Sequence, residues 1–163
     1  MIKLLYISII LTVSFLVPFE LLSSEKQPTV RMRVLASHIA NKIVTAAVSV
    51  CAKRGYLVSA AVVDRNGNLA AFLRNPLSGP HTIKVSQRKA YSAATLRAST
   101  KQMAARSDLN FAPDILLIVG GVPIKFSGKF YGGVAVAGAK PEIDEECAQA
   151  GIDAVADIMD FAD

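Results

Sequence analysis

The sequence contains no tryptophan, two cysteines and two histidines in 163 residues, and each scarcity removes a class of function. With His38 and His81 as the imidazoles, no serine–histidine–aspartate set has the spacing of a nucleophilic hydrolase. Neither Cys51 nor Cys147 sits in a Cys-x-x-Cys pair or beside a histidine at metal-ligand spacing, which excludes a zinc module and a dithiol redox motif. There is no aromatic-interleaved basic patch, zinc finger or helix-turn-helix signature, so nucleic acid is not an expected partner. Gly120-Gly121-Val122-Pro123 lacks the Lys-Ser/Thr of a phosphate loop and runs into a strand, so close strand packing or a backbone wall against a flat ligand is its expected role. Asp64 and Asp144 read as a turn residue and a helix-dipole residue rather than as an acid–base pair.

Lysine and arginine number 18 against 13 aspartates and glutamates, a net charge of +5. An excess of that size suits an anionic ligand or an acidic surface. The N-terminus carries Lys3, then an apolar stretch from Leu4 to Val17, then Pro18 and the small pair Ser23-Ser24. At about fourteen residues the stretch is short for a bilayer-spanning helix, and the order of charged start, apolar middle and small-residue end is that of a secretory signal. Residues 1–24 are therefore expected to be a signal peptide and residues 25–163 one domain, periplasmic or secreted. Glu20, Leu21-Leu22 and the lack of Ala-x-Ala leave an uncleaved N-terminal membrane anchor as the alternative. Since Lys3 and Glu20 cancel, cleavage leaves the charge at +5.

Leu35, Ile39, Ile43, Ala47 and Val50 recur at three- and four-residue steps, which predicts a helix over 33–54 ending at Arg54-Gly55. Strands are expected at 57–64 and 68–74, joined through Asn66-Gly67 as a two-residue turn. Ser78 or Gly79 should cap a second helix over 80–98, with Pro80 at its first position and Ala90, Ala93, Ala94 and Ala98 facing the sheet. A short helix over 100–107 follows, then strands at 115–119, 122–127 and 130–137. Pro141 opens the last helix, with Glu142, Asp144, Glu145 and Glu146 in its first turns. This order of elements is that of an α+β domain. Cys51 and Cys147 fall on helices expected to share one face of the sheet; in an exported protein a disulfide is open to them, but two buried free thiols are the expectation.

The hairpin Val62-Val63-Asp64-Arg65-Asn66-Gly67-Asn68-Leu69, the run Gly120-Gly121-Val122-Pro123-Ile124, the helix segment Arg88-Lys89-Ala90-Tyr91-Ser92-Ala93-Ala94 and the tail Asp144-Glu145-Glu146-Cys147-Ala148-Gln149-Ala150-Gly151 together resemble the GlcG/HbpS haem-binding family over residues 33–161. The resemblance implies a profilin-like five-stranded antiparallel sheet with N- and C-terminal helices and a central helix pair. It also implies a haem- or tetrapyrrole-binding protein, which with the leader gives the expectation of an exported one used for sequestration or sensing and without turnover of its own. Two other functions stand beside this one: an accessory domain of cobalamin or hydroxy-acid metabolism, and a self-assembling structural module.

Haem asks for an axial ligand, an apolar slot and cations for its propionates. His81 is the axial candidate, because it follows a Pro-Gly-rich loop in the first turn of the second helix. Thr82, Lys84, Arg88, Lys89 and Arg97 come after it on the same helix. Tyr91, Met103 and Tyr131 are candidate second ligands or stacking walls, each with core packing as its plainer role. Lys84, Arg88, Lys89, Lys101 and Arg106 make either a solvated helix face or a propionate-binding patch. His38, beside Asn41 and Lys42, is expected to face solvent. An apolar fraction of 52% with few aromatics leads to the further expectation of a homo-oligomer.

Overall fold

Helix α1, Ser37–Lys53, buries Ile39, Ala40, Ile43, Val44, Ala47 and Cys51 along one stripe and stops at Gly55, whose φ of +83° favours glycine. The computed structural model describes residues 28–162, so the expected leader at 1–24 lies outside the described residues. The helix begins later than residue 33, because residues 33–36 are extended and Leu35 reaches the core from that extended segment.

Strands β1 (Ser59–Asp64) and β2 (Leu69–Arg74) form an antiparallel hairpin. Its loop is one residue longer than a two-residue turn. The Asp64 N–H donates to the Asn68 carbonyl at 2.8 Å, and Gly67 takes the left-handed conformation at φ +90°. Asp64 Oδ1 accepts from the backbone N–H groups of Asn66 and Asn68 at 2.8 and 2.9 Å, which is the turn role expected of it.

Helix α2 (His81–Leu96) crosses one face of the sheet, where Ala90 and Ala94 pack on Ala61, Val63 and Ala135. Strands β3 (Gly121–Phe126) and β4 (Lys129–Ala137) complete an antiparallel sheet in the order β2-β1-β4-β3. The alanine stripe brings α2 so near β4 that a Cβ on Gly133 would collide with the Ala90 carbonyl. On the other face α1 and α3 (Pro141–Asp153) cover Ala60, Val62, Val134 and Val136, and α4 (Ala156–Asp160) follows.

Three expectations are corrected. Among the described residues the sheet has four strands rather than five, because 115–119 is not a strand. Its backbone bonds to α2 instead: Arg88 donates to the Ile115 carbonyl at 2.9 Å and the Leu116 N–H donates to Ser92 Oγ at 2.7 Å. Nor is there a central helix pair. Arg97 adopts φ +53°, ending α2, and residues 100–105 form successive turns before a 3-10 turn at Ser107–Phe111. Finally, Cys51 and Cys147 are joined in a disulfide that ties α1 to α3, with Cα atoms 5.7 Å apart, rather than standing as free thiols.

Candidate functional site

His81, Lys84, Arg88 and Tyr91 are spaced three, four and three residues apart, which on a helix places them on one face. His81, Lys84 and Arg88 are exposed and Tyr91 is half-buried. The stripe spans about 15 Å from His81 to Tyr91 at 1.5 Å per residue. At its first end the imidazole folds back over the loop, where a Cβ on Gly79 would lie 2.7 Å from His81 Cε1. Glycine is the side chain that leaves this ring its space.

At the other end the stripe borders a groove of about 230 Å3 between α2 and the β1–β2 hairpin. Val63 and Leu69 give it apolar walls, Tyr91 an aromatic one, and Gln87, Arg88 and Asp114 its polar rim. Gly67 serves twice here: its φ is positive, and a Cβ would stand 2.9 Å from the Tyr91 ring. Asp114 takes φ +62° in the turn after Pro113. The contributions of Val63, Leu69, Gln87 and Asp114 are absent from the sequence reading. The Pro113-Asp114 dipeptide is the one local turn signal that marks any of them.

The remaining candidates lie elsewhere. Thr82 is 1% exposed and turned inward. Its hydroxyl lies 2.7 Å from Ser59 Oγ and 2.9 Å from Ser78 Oγ, and donates to the Gly79 carbonyl at 2.6 Å. That set of bonds anchors the start of α2 to β1. Met103 is half-buried in the turns beyond α2, at the far end from His81. Tyr131 packs in the core on the opposite face of the sheet, its ring 6.1 Å from that of Phe126.

The basic set is divided by the fold. Lys84 and Arg88 stay on the outer face, Arg97 lies 5.1 Å over the Phe130 ring, Lys101 pairs with Glu145 at 3.5 Å, and Arg106 pairs with Asp108. Lys89 is no part of a solvated face: it is buried, and its ammonium sits 2.9 Å from Asp144. Burial pushes the Lys89 pKa down and the Asp144 pKa up, in each case against the attraction of the partner. The double glycine is explained by the same lysine. A Cβ on Gly120 would lie 2.5 Å from Lys89 Nζ, and one on Gly121 2.5 Å from the Lys89 carbonyl, so the motif accommodates α2 and not a flat ligand.

An exposed imidazole, two cations and an aromatic wall on one stripe are the donor set a tetrapyrrole dicarboxylate needs. Among the described residues no three His, Cys, Asp or Glu side chains cluster as potential metal ligands. A family model described as "Haem degrading protein HbpS-like" matches residues 35–153. The chain belongs to the HbpS-like family. Protein GlcG of Escherichia coli K12 is 33% identical over 109 residues, covering 64% of this chain and 81% of GlcG. The crystal structure of a double mutant of HbpS from Streptomyces reticuli matches with a TM-score of 0.73 at 35% identity, over 77% of this chain and 89% of that one. A crystal structure of a PduOC:haem complex shares the fold, with a TM-score of 0.69 at 21% identity over 75% of this chain and 95% of that one. As an HbpS-like protein the chain has the family's α+β fold.

Proposed function

We propose that this HbpS-like protein is an exported haem-binding domain that holds the tetrapyrrole without degrading it, along the outer stripe of α2. The observation that carries the reading is the alignment of His81, Lys84, Arg88 and Tyr91 on one exposed helix face beside the groove. His81 would hold the group through an imidazole nitrogen, Lys84 and Arg88 would neutralise its carboxylates, and Tyr91 with Leu69 would support its apolar body. Bound haem would supply a redox-active iron. The groove, at about 230 Å3, is below the roughly 300–1,000 Å3 of enclosed ligand sites, so the ring would rest largely on the surface. The haem-degrading description of the family and the haem-complexed neighbour support this ligand class.

Export is supported by the leader-like sequence and by the Cys51–Cys147 bridge, since disulfides persist in oxidising compartments. Association into a homo-oligomer is supported by Leu69 and Leu73, exposed on the edge strand β2. Titration of the purified protein with haemin tests the reading: a shifted, saturable Soret band is expected, stable when ascorbate is added. Bleaching of the band under ascorbate would make the protein a degrading enzyme. No Soret shift, with binding of a corrinoid in the presence of ATP, would favour the accessory-domain alternative.

A further inference from the structure

From Arg65 to Ser107 the chain holds no aspartate or glutamate. Strand β2, the loop 75–80 and α2 are therefore built without a carboxylate of their own, and the first turn of α2 has no acidic side chain to complement its dipole. Arg74 lies within this stretch as the last residue of β2. It is paired in register with Ser59, whose hydroxyl meets Thr82 of α2 at 2.7 Å, so Arg74 stands on the α2 side of the sheet.

The guanidinium of Arg74 is half-buried and poorly satisfied. Of its five N–H donors, those of Nη2 serve the Ser78 carbonyl. Nε is buried without a partner, and among the described residues Nη1 has no hydrogen bond and no carboxylate pairs with the group. Buried donors in folded proteins have partners with few exceptions, because the bond to water is otherwise given up without return. The place of this cation is also specific. The Ser78 carbonyl belongs to the peptide unit shared with Gly79, and the His81 imidazole packs over Gly79. Arg74 from β2 and His81 from α2 thus bracket a single peptide unit.

We infer that Arg74 is a further binding residue of the α2 stripe, whose Nη1 receives a carboxylate of the ligand at the His81 end; the inference rests on the haem reading above. A carboxylate there would give the under-satisfied guanidinium a charge-assisted hydrogen bond, with no acidic neighbour in sequence to repel it. The ligand class narrows accordingly. Arg74 favours a tetrapyrrole with free carboxylates over one whose side arms are esters or amides, as those of a corrinoid are.

Soret titration of the purified protein with haemin and with haemin dimethyl ester, in one detergent buffer, tests the assignment. The parent protein should bind the diacid more tightly than the diester. Arg74→Gln should weaken the diacid about tenfold, the loss of one charge-assisted hydrogen bond, and leave the diester near the parent value. Arg74→Lys, which keeps a cation on the strand, should retain part of the preference for the diacid, and circular dichroism checks that both variants are folded. His81→Ala should instead weaken diacid and diester alike. An equal loss of both ligands in Arg74→Gln would make Arg74 only a clamp on the loop beneath His81 and would overturn the inference, as would no loss of the diacid. Either result leaves haem binding by the parent intact, whereas a parent protein with no saturable Soret shift removes the haem reading and this inference with it.

Discussion

Lys89 Nζ lies 2.9 Å from Asp144 Oδ2, with 2% and 4% of the two side chains exposed. The ammonium also donates to the Val136 carbonyl at 2.8 Å, and Asp144 Oδ1 accepts from the Ala139 N–H at 3.0 Å. The pair thereby fastens α2, the end of β4 and the first turn of α3 through the interior. The carboxylate expected to serve the helix dipole is chiefly the countercharge of a buried lysine.

Removing one partner should be far worse than removing both. Asp144→Asn leaves the Lys89 ammonium buried without its countercharge and should cost about 3–5 kcal/mol, whereas Lys89→Met with Asp144→Leu should recover much of that loss. The opposed pKa displacements give the reason, since burial already outweighs attraction for each group. Urea denaturation of Lys89→Met, Asp144→Leu and the double variant measures the coupling, and strictly additive effects would refute it.

The Cys51–Cys147 bridge spans 96 residues of sequence. In the chain-entropy model such a loop stabilises by roughly 4–5 kcal/mol, so the reduced protein should unfold at markedly lower urea. Thiol titration after non-reducing denaturation should find none free among these positions. Two reactive thiols would show the bridge unmade.

The β1–β2 turn should be sensitive to acid. Burial alone would raise the Asp64 pKa, but hydrogen bonds from Asn68, Asn66 and Gly67 bring it below its ordinary 3.8. As pH falls the unfolded chain takes up this proton first, so the contribution is complete above 3.8 and is lost as pH drops through the lower folded value. Asp64→Asn removes the titration while retaining an acceptor. Its urea midpoint should fall less steeply below pH 3.8 than that of the parent protein, and parallel profiles would discount the turn.

For the haem site, His81→Ala should shift the Soret maximum and weaken haemin binding ten- to a hundredfold, an order of magnitude typical of metal-site substitutions. His38→Ala, on the other side of the molecule, should leave the Soret band and haemin affinity near those of the parent. An unchanged spectrum in His81→Ala moves the iron toward the Tyr91 end of the stripe, where Tyr91→Phe would then carry the effect.

Close packing of α2 on the sheet gives a stability prediction. Gly133→Ala puts a methyl group against the Ala90 carbonyl, in a layer where α2 cannot retreat without unpacking Ala61 and Ala135. A loss of about 1–3 kcal/mol is expected, read as a lower melting temperature. No change would mean that the helix shifts freely.

The sequence alone determined what depends on residues a few positions apart. Asp64-Arg65-Asn66-Gly67-Asn68 closes its turn with its own side chains, Gly55 ends α1 where a left-handed residue is needed, and Ala90, Ala93 and Ala94 reach the sheet as their helical spacing requires. His81, Lys84, Arg88 and Tyr91 share a face for the same local reason. Tertiary structure alone decided what joins distant parts of the chain. Lys89 shares the inward face of Thr82, Ser86 and Ala93, but its partner is 55 residues away, and periodicity carries no information about which carboxylate waits there. Cys51 and Cys147 became a bridge because α1 and α3 pack side by side, a matter of layer order and not of spacing. Residues 115–119 have the apolar composition of a strand, yet Arg88 and Ser92 claimed their backbone groups first, since hydrogen-bonding capacity goes to whichever partner the fold brings within reach.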